Sequence, residues 1–256
     1  MKLQPASILT LSVDPSQSRQ GTQLLDWVTA VAAANAINVA SIDCISEPPA
    51  AGAGYSAALL CPVLPSGRLD QEVLLSLPAV KSSLAPGGLL LPFKLELWVK
   101  AVHSENLARA SHLNSDENVS GFKIADQVVS TLHFIFWMSN MLQVNILAVT
   151  HHQEVSHVNI GEEMTEAFLA ATFDLNNLGM ERAVFDTSVS VTRTGSVNAL
   201  LYWFVQDFGW GLNLDSLKSS GYSQAAFLVK ETIVQDGGSL PISCQFEKGL
   251  IQLSLT

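Results

Sequence analysis

The hydrophobic period of this chain changes at Pro92, and that change limits what the chain can fold into. Before it, Pro86-Gly87-Gly88 is a turn signal, and Leu89–Leu91 is a short apolar run typical of a strand buried on both faces. After it, Leu and Val alternate with Lys and Glu over residues 94–100, which predicts a strand with one face buried and the other exposed to solvent. We therefore predict a joint between two domains at Pro92.

Strands and helices alternate along the first part of the chain. The patterns predict strands over 8–13, 37–45 and 55–61, a helix over Gln23–Ala36, and a second helix from about Leu69 with Val73, Leu74, Leu77 and Val80 on one face. Such alternation is typical of a parallel sheet with helices on both faces. Residues 1–92 are predicted to form an α/β domain, a partial Rossmann-like sheet.

Strands dominate the rest of the chain. They are predicted over 94–103, 121–129, 167–175, 183–193, 197–208, 224–234 and 240–255. This pattern predicts an all-β antiparallel barrel or sandwich over 93–256, with an apolar, arm-like insertion at about 128–165.

The composition restricts the cellular compartment in which we expect the chain and the kinds of molecule that it would bind. A content of 48% hydrophobic and 14% charged residues is typical of a folded chain, and a net charge of −10 argues against nucleic acid as a partner. The three cysteines, Cys44, Cys61 and Cys244, are too few and too far apart for a disulfide framework. Without a signal-peptide profile at the N-terminus, we expect a cytoplasmic or nuclear protein.

Three further patterns could indicate a membrane span, a metal site or an aromatic cage, but each also has a purely structural explanation. The apolar stretch Val128–Val149 is long enough to span a membrane, but its polar side chains would need partners in lipid, so we expect a buried or interface-forming segment and no membrane span. The cluster of His151, His152, Glu154 and His157 lacks the H-E-x-x-H order, which favours a polar loop without metal. Three aromatic residues are expected in a barrel core rather than in an aromatic cage: Trp203, Trp210 and Tyr222.

An ordered series of segments resembles the protein arginine methyltransferases. LAPGGLLLP (84–92) is similar to the end of the family's nucleotide-binding domain, and SGFKIA (120–125) to the point where its barrel meets the dimerisation arm. ATFDL (171–175) and ALLYWF (199–204) resemble two barrel strands, SSGYSQAAFLV (219–229) the loop and strand usually written Thr-His-Trp-Lys-Gln, and GGSLPISCQFEKGLIQLSL (237–255) the closing hairpin. The resemblance covers most of 8–256, is weakest over about 128–165, and is greatest to the degenerate C-terminal half of a two-module member.

This resemblance implies methyl transfer from S-adenosylmethionine to protein arginine. Binding that cofactor requires a glycine-rich turn after the first strand and an acidic residue on the ribose. No G-x-G lies near the first strand here, as if the chain started partway into the fold, and Gly52 and Gly54 read as an ordinary turn. Asp14 stands where the ribose-binding acid could lie, although a helix cap would explain it equally well.

The residues that the family uses to bind arginine are also replaced. The family's two glutamates would fall on the loop 61–67 and just after it, where Pro62 and Gln71 stand, with Glu72 one residue off. Gly221 and Tyr222 replace the His-Trp pair of the barrel loop. Because guanidinium binding needs carboxylates, we expect no methyl transfer by this chain alone. Because the glycine-rich turn is missing, we also expect no bound cofactor.

Three functions are consistent with these patterns. The first is a non-catalytic scaffold for a catalytic module, supplied by a longer chain or another subunit, with proteins such as splicing factors as the parent enzyme's substrates; a short isoform or partial product is a separate expectation. The second is a free-standing barrel that binds a protein or peptide. The third is an active methyltransferase that uses Glu72 and Asp14.

Overall fold

A computed structural model describes residues 51–105, 161–179 and 181–256 in full, and the backbone of five further strands within 6–155. Asp14, the predicted helix Gln23–Ala36 and the stretch Val128–Val149 lie outside the described residues. Within the part of the chain that is described, no helix has the length and apolar character needed to cross a membrane.

The first part of the chain forms a parallel sheet of four strands in the order β2-β1-β3-β4. These strands are β1 (Ala6–Leu11), β2 (Val39–Ile45), β3 (Tyr55–Leu60) and β4 (Leu84–Leu91). The parallel pairing agrees with the alternation in the sequence.

Between β3 and β4 the predicted single helix is two short helices, α1 (Gln71–Leu75) and α2 (Leu77–Ser83). The break follows from Pro78, which has no backbone N–H to continue the helical ladder and therefore sits in the first turn of α2. Four apolar side chains are fully buried on one side, as predicted: Val73, Leu74, Leu77 and Val80.

Strand β4 departs from the prediction in two ways. Pro86-Gly87-Gly88 does not separate two elements but lies inside β4 as a bulge, because Tyr55 pairs with Leu84 and Ala57 already pairs with Leu89. Gly87 supplies the positive φ of 77° that this bulge needs. The expected burial on both faces is wrong for Leu89, which is 40% exposed, and correct for Leu90, which is 1% exposed.

Among the described residues, the second part of the chain forms a seven-stranded antiparallel sheet. Its main order is β10-β5-β12-β14-β8, with β13 paired to β12 and β9 paired to β5. The bounds are β5 (Lys94–His103), β8 (His152–Val155), β9 (Glu162–Glu163), β10 (Phe168–Asp174), β12 (Gly195–Asp207), β13 (Asn213–Asp215) and β14 (Gln224–Val234). The alternation in β5 holds, since Leu95, Leu97 and Val99 are buried.

Two smaller sheets complete the described strands. One is β11 (Ala183–Ser190), β15 (Ser239–Glu247) and β16 (Leu250–Leu255), and the other is β6 (Asn118–Val119) with β7 (Phe122–Lys123). The segment 240–255, where the strand pattern predicted one strand and the family resemblance a closing hairpin, is a hairpin whose turn is Lys248-Gly249. Both turn residues have positive φ, 51° and 79°, as a tight two-residue hairpin turn requires.

One hydrophobic core joins the parallel and the antiparallel parts. Leu60 of β3 and Leu74 of α1 belong to the same buried cluster as Leu97 of β5, Phe204 of β12 and Phe246 of β15. A smaller cluster on the opposite face of the large sheet contains Val102, Ala199, Leu201 and Ala226. Strand β12 is therefore packed on both faces.

Candidate functional site where two loops meet

The segment between β3 and α1, where the family's arginine-binding loop was predicted, is a compact hairpin. Val63 and Leu69 pair as an isolated antiparallel bridge. Inside that bridge Leu64 N donates to Arg68 O and Gly67 N donates to Leu64 O, both at 2.8 Å. The backbone of this loop therefore hydrogen-bonds largely to itself, which fixes its shape.

This hairpin contacts the barrel loop that ends at Ser223. Ser223 N donates to Pro65 O at 2.8 Å, and Tyr222 N donates to Ser219 O at 3.2 Å. Gly67 has a φ of 82° and lies so near that a Cβ at its position would overlap the Ser223 carbonyl oxygen. The structure thus brings together two of the segments that the sequence singled out, although they are far apart along the chain.

The three residues predicted at the glutamate positions do not form a carboxylate pair in the structure. Pro62 is buried, and its carbonyl oxygen accepts the Asp70 N–H at 2.9 Å. Gln71 Nε2 donates to Lys248 O at 2.9 Å, and Gly249 packs against the Gln71 side chain, so Gln71 holds the β15–β16 turn. Glu72 is exposed in the first turn of α1.

A nearby carboxylate, Asp70, is used as a helix cap. Its Oδ1 accepts the N–H groups of Glu72 and Val73, each at 3.1 Å. An aspartate at this position satisfies backbone donors that have no partner inside the helix. Asp70 therefore stabilises the start of α1 rather than facing a ligand.

Tyr222 contacts a polar residue that the sequence analysis did not single out. Burial raises the pKa of the Tyr222 hydroxyl, the hydrogen bond with the Gln206 side chain acts in the opposite direction, and Cys61 adds to the increase. Gln206 is 2% exposed, so its amide contacts the Tyr222 hydroxyl in a place that water hardly reaches. The signal for Gln206 was present in the sequence, as a polar residue at an inward position of an apolar strand.

The inward face of β12 leads from the barrel core to this site. Tyr202, Phe204 and Gln206 alternate along it, and Tyr202 and Phe204 are completely buried. Burial raises the pKa of the Tyr202 hydroxyl, while the nearby Arg68 acts in the opposite direction. Gly221 is exposed, and a Cβ there would meet nothing closer than Ser219 Oγ at 3.8 Å.

The aromatic and histidine predictions are corrected in part. Trp203 is 5% exposed and Tyr222 is half-buried, as expected of a core, but Trp210 is 76% exposed because it lies on the loop between β12 and β13. Residues 152–155 are a strand, β8, instead of the predicted loop, because their backbone pairs with Gln224–Phe227. His151, His157 and the side chains of His152 and Glu154 lie outside the described residues. Within the described ranges, no group of three His, Cys, Asp or Glu side chains suited to a metal ion is found.

Sequence comparison finds similarity to two proteins that carry the same name. No protein-family model matches the chain. It is 22% identical over 216 residues to protein arginine N-methyltransferase 9 of Xenopus laevis, a match covering 84% of this chain and 25% of the relative. The mouse protein of the same name is 24% identical over 203 residues, with 78% and 22% covered. The chain thus spans about a quarter of the length of these relatives.

Two solved structures share the fold. The PRMT1 enzyme–prozyme heterotetrameric complex of Trypanosoma brucei with AdoHcy gives a TM-score of 0.59 at 17% identity, covering 98% of this chain and 85% of that one. Protein arginine methyltransferase 10 of Arabidopsis thaliana gives 0.60 at 12% identity, with 98% and 83% covered. The chain is therefore similar to the protein arginine methyltransferases, in sequence to protein arginine N-methyltransferase 9 and in fold to solved members, which confirms the resemblance predicted from its motifs.

Proposed function

We propose that this chain is a non-catalytic module of the arginine methyltransferase kind, which acts as a scaffold for a catalytic module. In this proposal residues 1–92 are a partial Rossmann-like remnant of the cofactor domain and residues 93–256 are the barrel domain. The observation that carries the proposal is the direct contact between Pro65, Gly67 and Ser223, because it joins the two segments at which the family's acceptor site was predicted.

The chemistry of these positions supports the absence of methyl transfer. A guanidinium group is held by paired carboxylates, which accept its fork of N–H donors and balance its charge. Here Pro62 has no polar side chain, the Gln71 amide is bonded to Lys248 O, and the Asp70 carboxylate caps α1. Glu72 by itself does not provide the two carboxylates that hold a guanidinium group.

The described glycines near the parallel sheet do not fit a cofactor turn. Gly52 N donates to Ser82 O and Gly54 N donates to Ser83 O, both at 2.8 Å, so their amides are used by the end of α2. A phosphate- or nucleoside-binding turn needs backbone N–H groups that point to the ligand. We therefore propose that this chain binds no S-adenosylmethionine, although the trypanosomal neighbour was solved with AdoHcy.

The partner in this proposal is a catalytic methyltransferase module, from the remainder of a longer chain or from another subunit. Two facts support it: the chain spans only about a quarter of its curated relatives, and the trypanosomal neighbour is an enzyme–prozyme complex. The substrates of the parent enzyme would be proteins such as splicing factors. This chain would be located in the cytoplasm, the nucleus or both.

The first experiment is calorimetric titration of the purified chain with S-adenosylmethionine and, separately, with S-adenosylhomocysteine. We expect a folded circular dichroism spectrum and no binding heat up to about 1 mM ligand, which corresponds to less than about 4 kcal/mol of binding free energy. Micromolar binding would contradict the proposal and favour an active methyltransferase, with Glu72 and Asp14 as the next residues to replace.

A further inference from the structure

The segment between β3 and β4, residues 62–83 and here called the strap, contains the helices α1 and α2. Hydrogen bonds join it to the antiparallel part of the chain near its beginning, its middle and its end. They run from Ser223 N to Pro65 O at 2.8 Å, from Gln71 Nε2 to Lys248 O at 2.9 Å, and from Lys81 Nζ to Asn176 O at 2.7 Å. Each bond reaches a different loop of the antiparallel part.

These loops lie at one end of the antiparallel part. Strand β10 ends and β5 begins where Asp174 pairs with Lys94, and β12 ends where Asp207 pairs with the same lysine. The start of β14 lies beside this end of β12, since Ala225 pairs with Tyr202. The start of β11 pairs with the end of β15, so the loop after β10 and the turn after β15 are also at this end. The strap therefore extends across one end of the strands.

The inner side of the strap is apolar. Val73, Leu74, Leu77 and Val80 are fully buried in the same cluster as Phe204 of β12. Burial of this kind stabilises the contact but has no preferred direction, whereas a hydrogen bond requires a defined distance and angle. The polar contacts therefore fix where the strap lies on the strands that it covers.

Two buried glycines allow a close approach on both sides of this contact. Gly67 belongs to the strap, and a Cβ there would overlap the Ser223 carbonyl oxygen. Gly249 belongs to the β15–β16 turn, and a Cβ there would lie 3.2 Å from Gln71 Cγ and 3.3 Å from Gln71 Cα. Both glycines have positive φ, 82° and 79°. Glycine therefore meets two requirements at each position, the backbone conformation and the space.

At position 71 the contact needs a hydrogen-bond donor. Lys248 O can only accept, and the Gln71 amide supplies the N–H group. A glutamate, which the family resemblance predicts at this position, would place a carboxylate against a carbonyl oxygen. Two acceptors repel each other at hydrogen-bond distance. The same side chain therefore cannot both hold the β15–β16 turn and offer a carboxylate to an arginine.

The last contact of the strap reaches a carbonyl group that is held in place. Asp174 Oδ1 accepts the Asn176 N–H at 3.0 Å, and Asn177 Nδ2 donates to Asp174 Oδ2 at 2.9 Å. Burial lowers the pKa of the Lys81 ammonium, while the Asp174 carboxylate acts in the opposite direction. The Lys81 contact is therefore partly removed from water and has a fixed acceptor.

We propose that the strap keeps the parallel and antiparallel parts in one fixed arrangement, with the Gln71 amide as the group that holds the β15–β16 turn. This goes beyond the scaffold role, because it concerns contacts inside the chain and does not depend on a catalytic module. It follows that returning a glutamate to position 71 loosens the structure instead of rebuilding an acceptor site.

The test is hydrogen exchange of the whole 256-residue chain, followed by mass spectrometry of peptides that cover residues 246–252. In Gln71→Glu and in Gln71→Ala we expect exchange in these peptides to be about threefold to tenfold faster, because one hydrogen bond of the local closed state is lost. The matched control is Gln245→Glu, which adds the same charge on β15. Gln245 Oε1 accepts from Arg182 Nη2 at 3.1 Å, which a carboxylate also does, so exchange should stay unchanged.

Trypsin cleavage after the exposed Lys248 gives a second readout, since cleavage in a tight turn requires local opening. It should accelerate by a similar factor in both Gln71 variants and not in Gln245→Glu. Unchanged exchange of 246–252 in Gln71→Glu would overturn the proposal, as would equal acceleration in Gln245→Glu. Acceleration spread evenly over the chain, β5 included, would also overturn it, because it would report global unfolding. None of these results bears on the scaffold role, which the cofactor titration tests separately.

Discussion

Strands β4 and β12 differ in a way that their sequences do not suggest. The three leucines that end β4 were expected to be buried on both faces, yet Leu89 is 40% exposed and only Leu90 is fully buried. By contrast, every residue of β12 from Val197 to Phe204 is buried. Position in the sheet explains the difference: among the described strands, β4 lies at the edge of its sheet, whereas β12 lies between β5 and β14 with apolar clusters on both faces. Neighbouring strands, more than local hydrophobicity, decide how deeply a strand is buried.

Removing one large side chain from each strand should give the largest contrast. We expect Phe204→Ala to lower the free energy of unfolding by about 3–5 kcal/mol, because Phe204 is completely buried and its loss leaves a cavity. Leu89→Ala should cost about 1 kcal/mol or less, as is usual for exposed positions. Urea unfolding followed by circular dichroism measures both, and equal losses would refute the contrast.

Two glycine-to-alanine substitutions distinguish the free energy lost by disturbing the contact between the two loops from the free energy lost by placing alanine at a positive φ. Gly67 and Gly87 have similar φ values, 82° and 77°, but an added Cβ overlaps Ser223 O at Gly67 and meets nothing within 4 Å at Gly87. We expect Gly67→Ala to destabilise the chain by roughly 1–3 kcal/mol more than Gly87→Ala. Thermal unfolding of the two variants under one condition tests this. Similar melting temperatures would mean that the loops separate at little cost.

Alkaline pH should weaken the antiparallel part through Cys244. Burial raises the pKa of this thiol from 9.0 to about 12, so the folded chain keeps a proton that the unfolded chain loses. The stability this provides is complete below pH 9 and is lost as the pH rises from 9 through 12. Between pH 8 and pH 10 the unchanged chain should lose about 1.4 kcal/mol more than Cys244→Ala, measured by urea unfolding at each pH.

A neighbouring substitution provides the control for that pH dependence. Leu253, the cross-strand partner of Cys244, is equally buried but cannot ionise. Leu253→Ala should therefore lower stability at every pH and leave the difference between pH 8 and pH 10 unchanged. If both variants lose the same part of the pH dependence, the thiol is not its source.

The smallest expected effect is on the parallel side, at the start of α1. Asp70→Ala removes the acceptor for the N–H groups of Glu72 and Val73 and should cost about 1 kcal/mol. Asp70→Asn keeps a side-chain oxygen in place and should cost much less. Urea unfolding of both variants makes the comparison, and an equal loss would show that the carboxylate charge, not the hydrogen bonds, stabilises this end.

Local patterns predicted much of the fold. The bounds of β5 agree with the alternation of Leu95, Leu97 and Val99, and the buried face of α1 and α2 agrees with helical spacing. These features depend on neighbouring residues and on fixed backbone periods, which a sequence displays directly. The family resemblance rests on the same basis, because it compares short segments in order.

The candidate site was predictable only in its parts. The sequence indicated Pro62, Gln71, Gly221 and Tyr222 as replaced positions, but not that Gly67 touches Ser223 or that Gln71 holds Lys248, 177 residues away. Gln206 was missed although its inward position in an apolar strand is visible in the sequence, because its contact with Tyr222 depends on the tertiary structure. Trp210 was expected in the core, and nothing local indicates that its loop projects from the end of β12.

The sequence by itself determined the periods of the strands and helices, the cysteine content and the resemblance to a family, since all of these are properties of short segments or of composition. The tertiary structure alone decided that, among the described strands, β4 is an edge and β12 a centre, and that two distant loops meet. Contacts between residues far apart in the chain depend on how all the strands are arranged together, and no local window contains that arrangement.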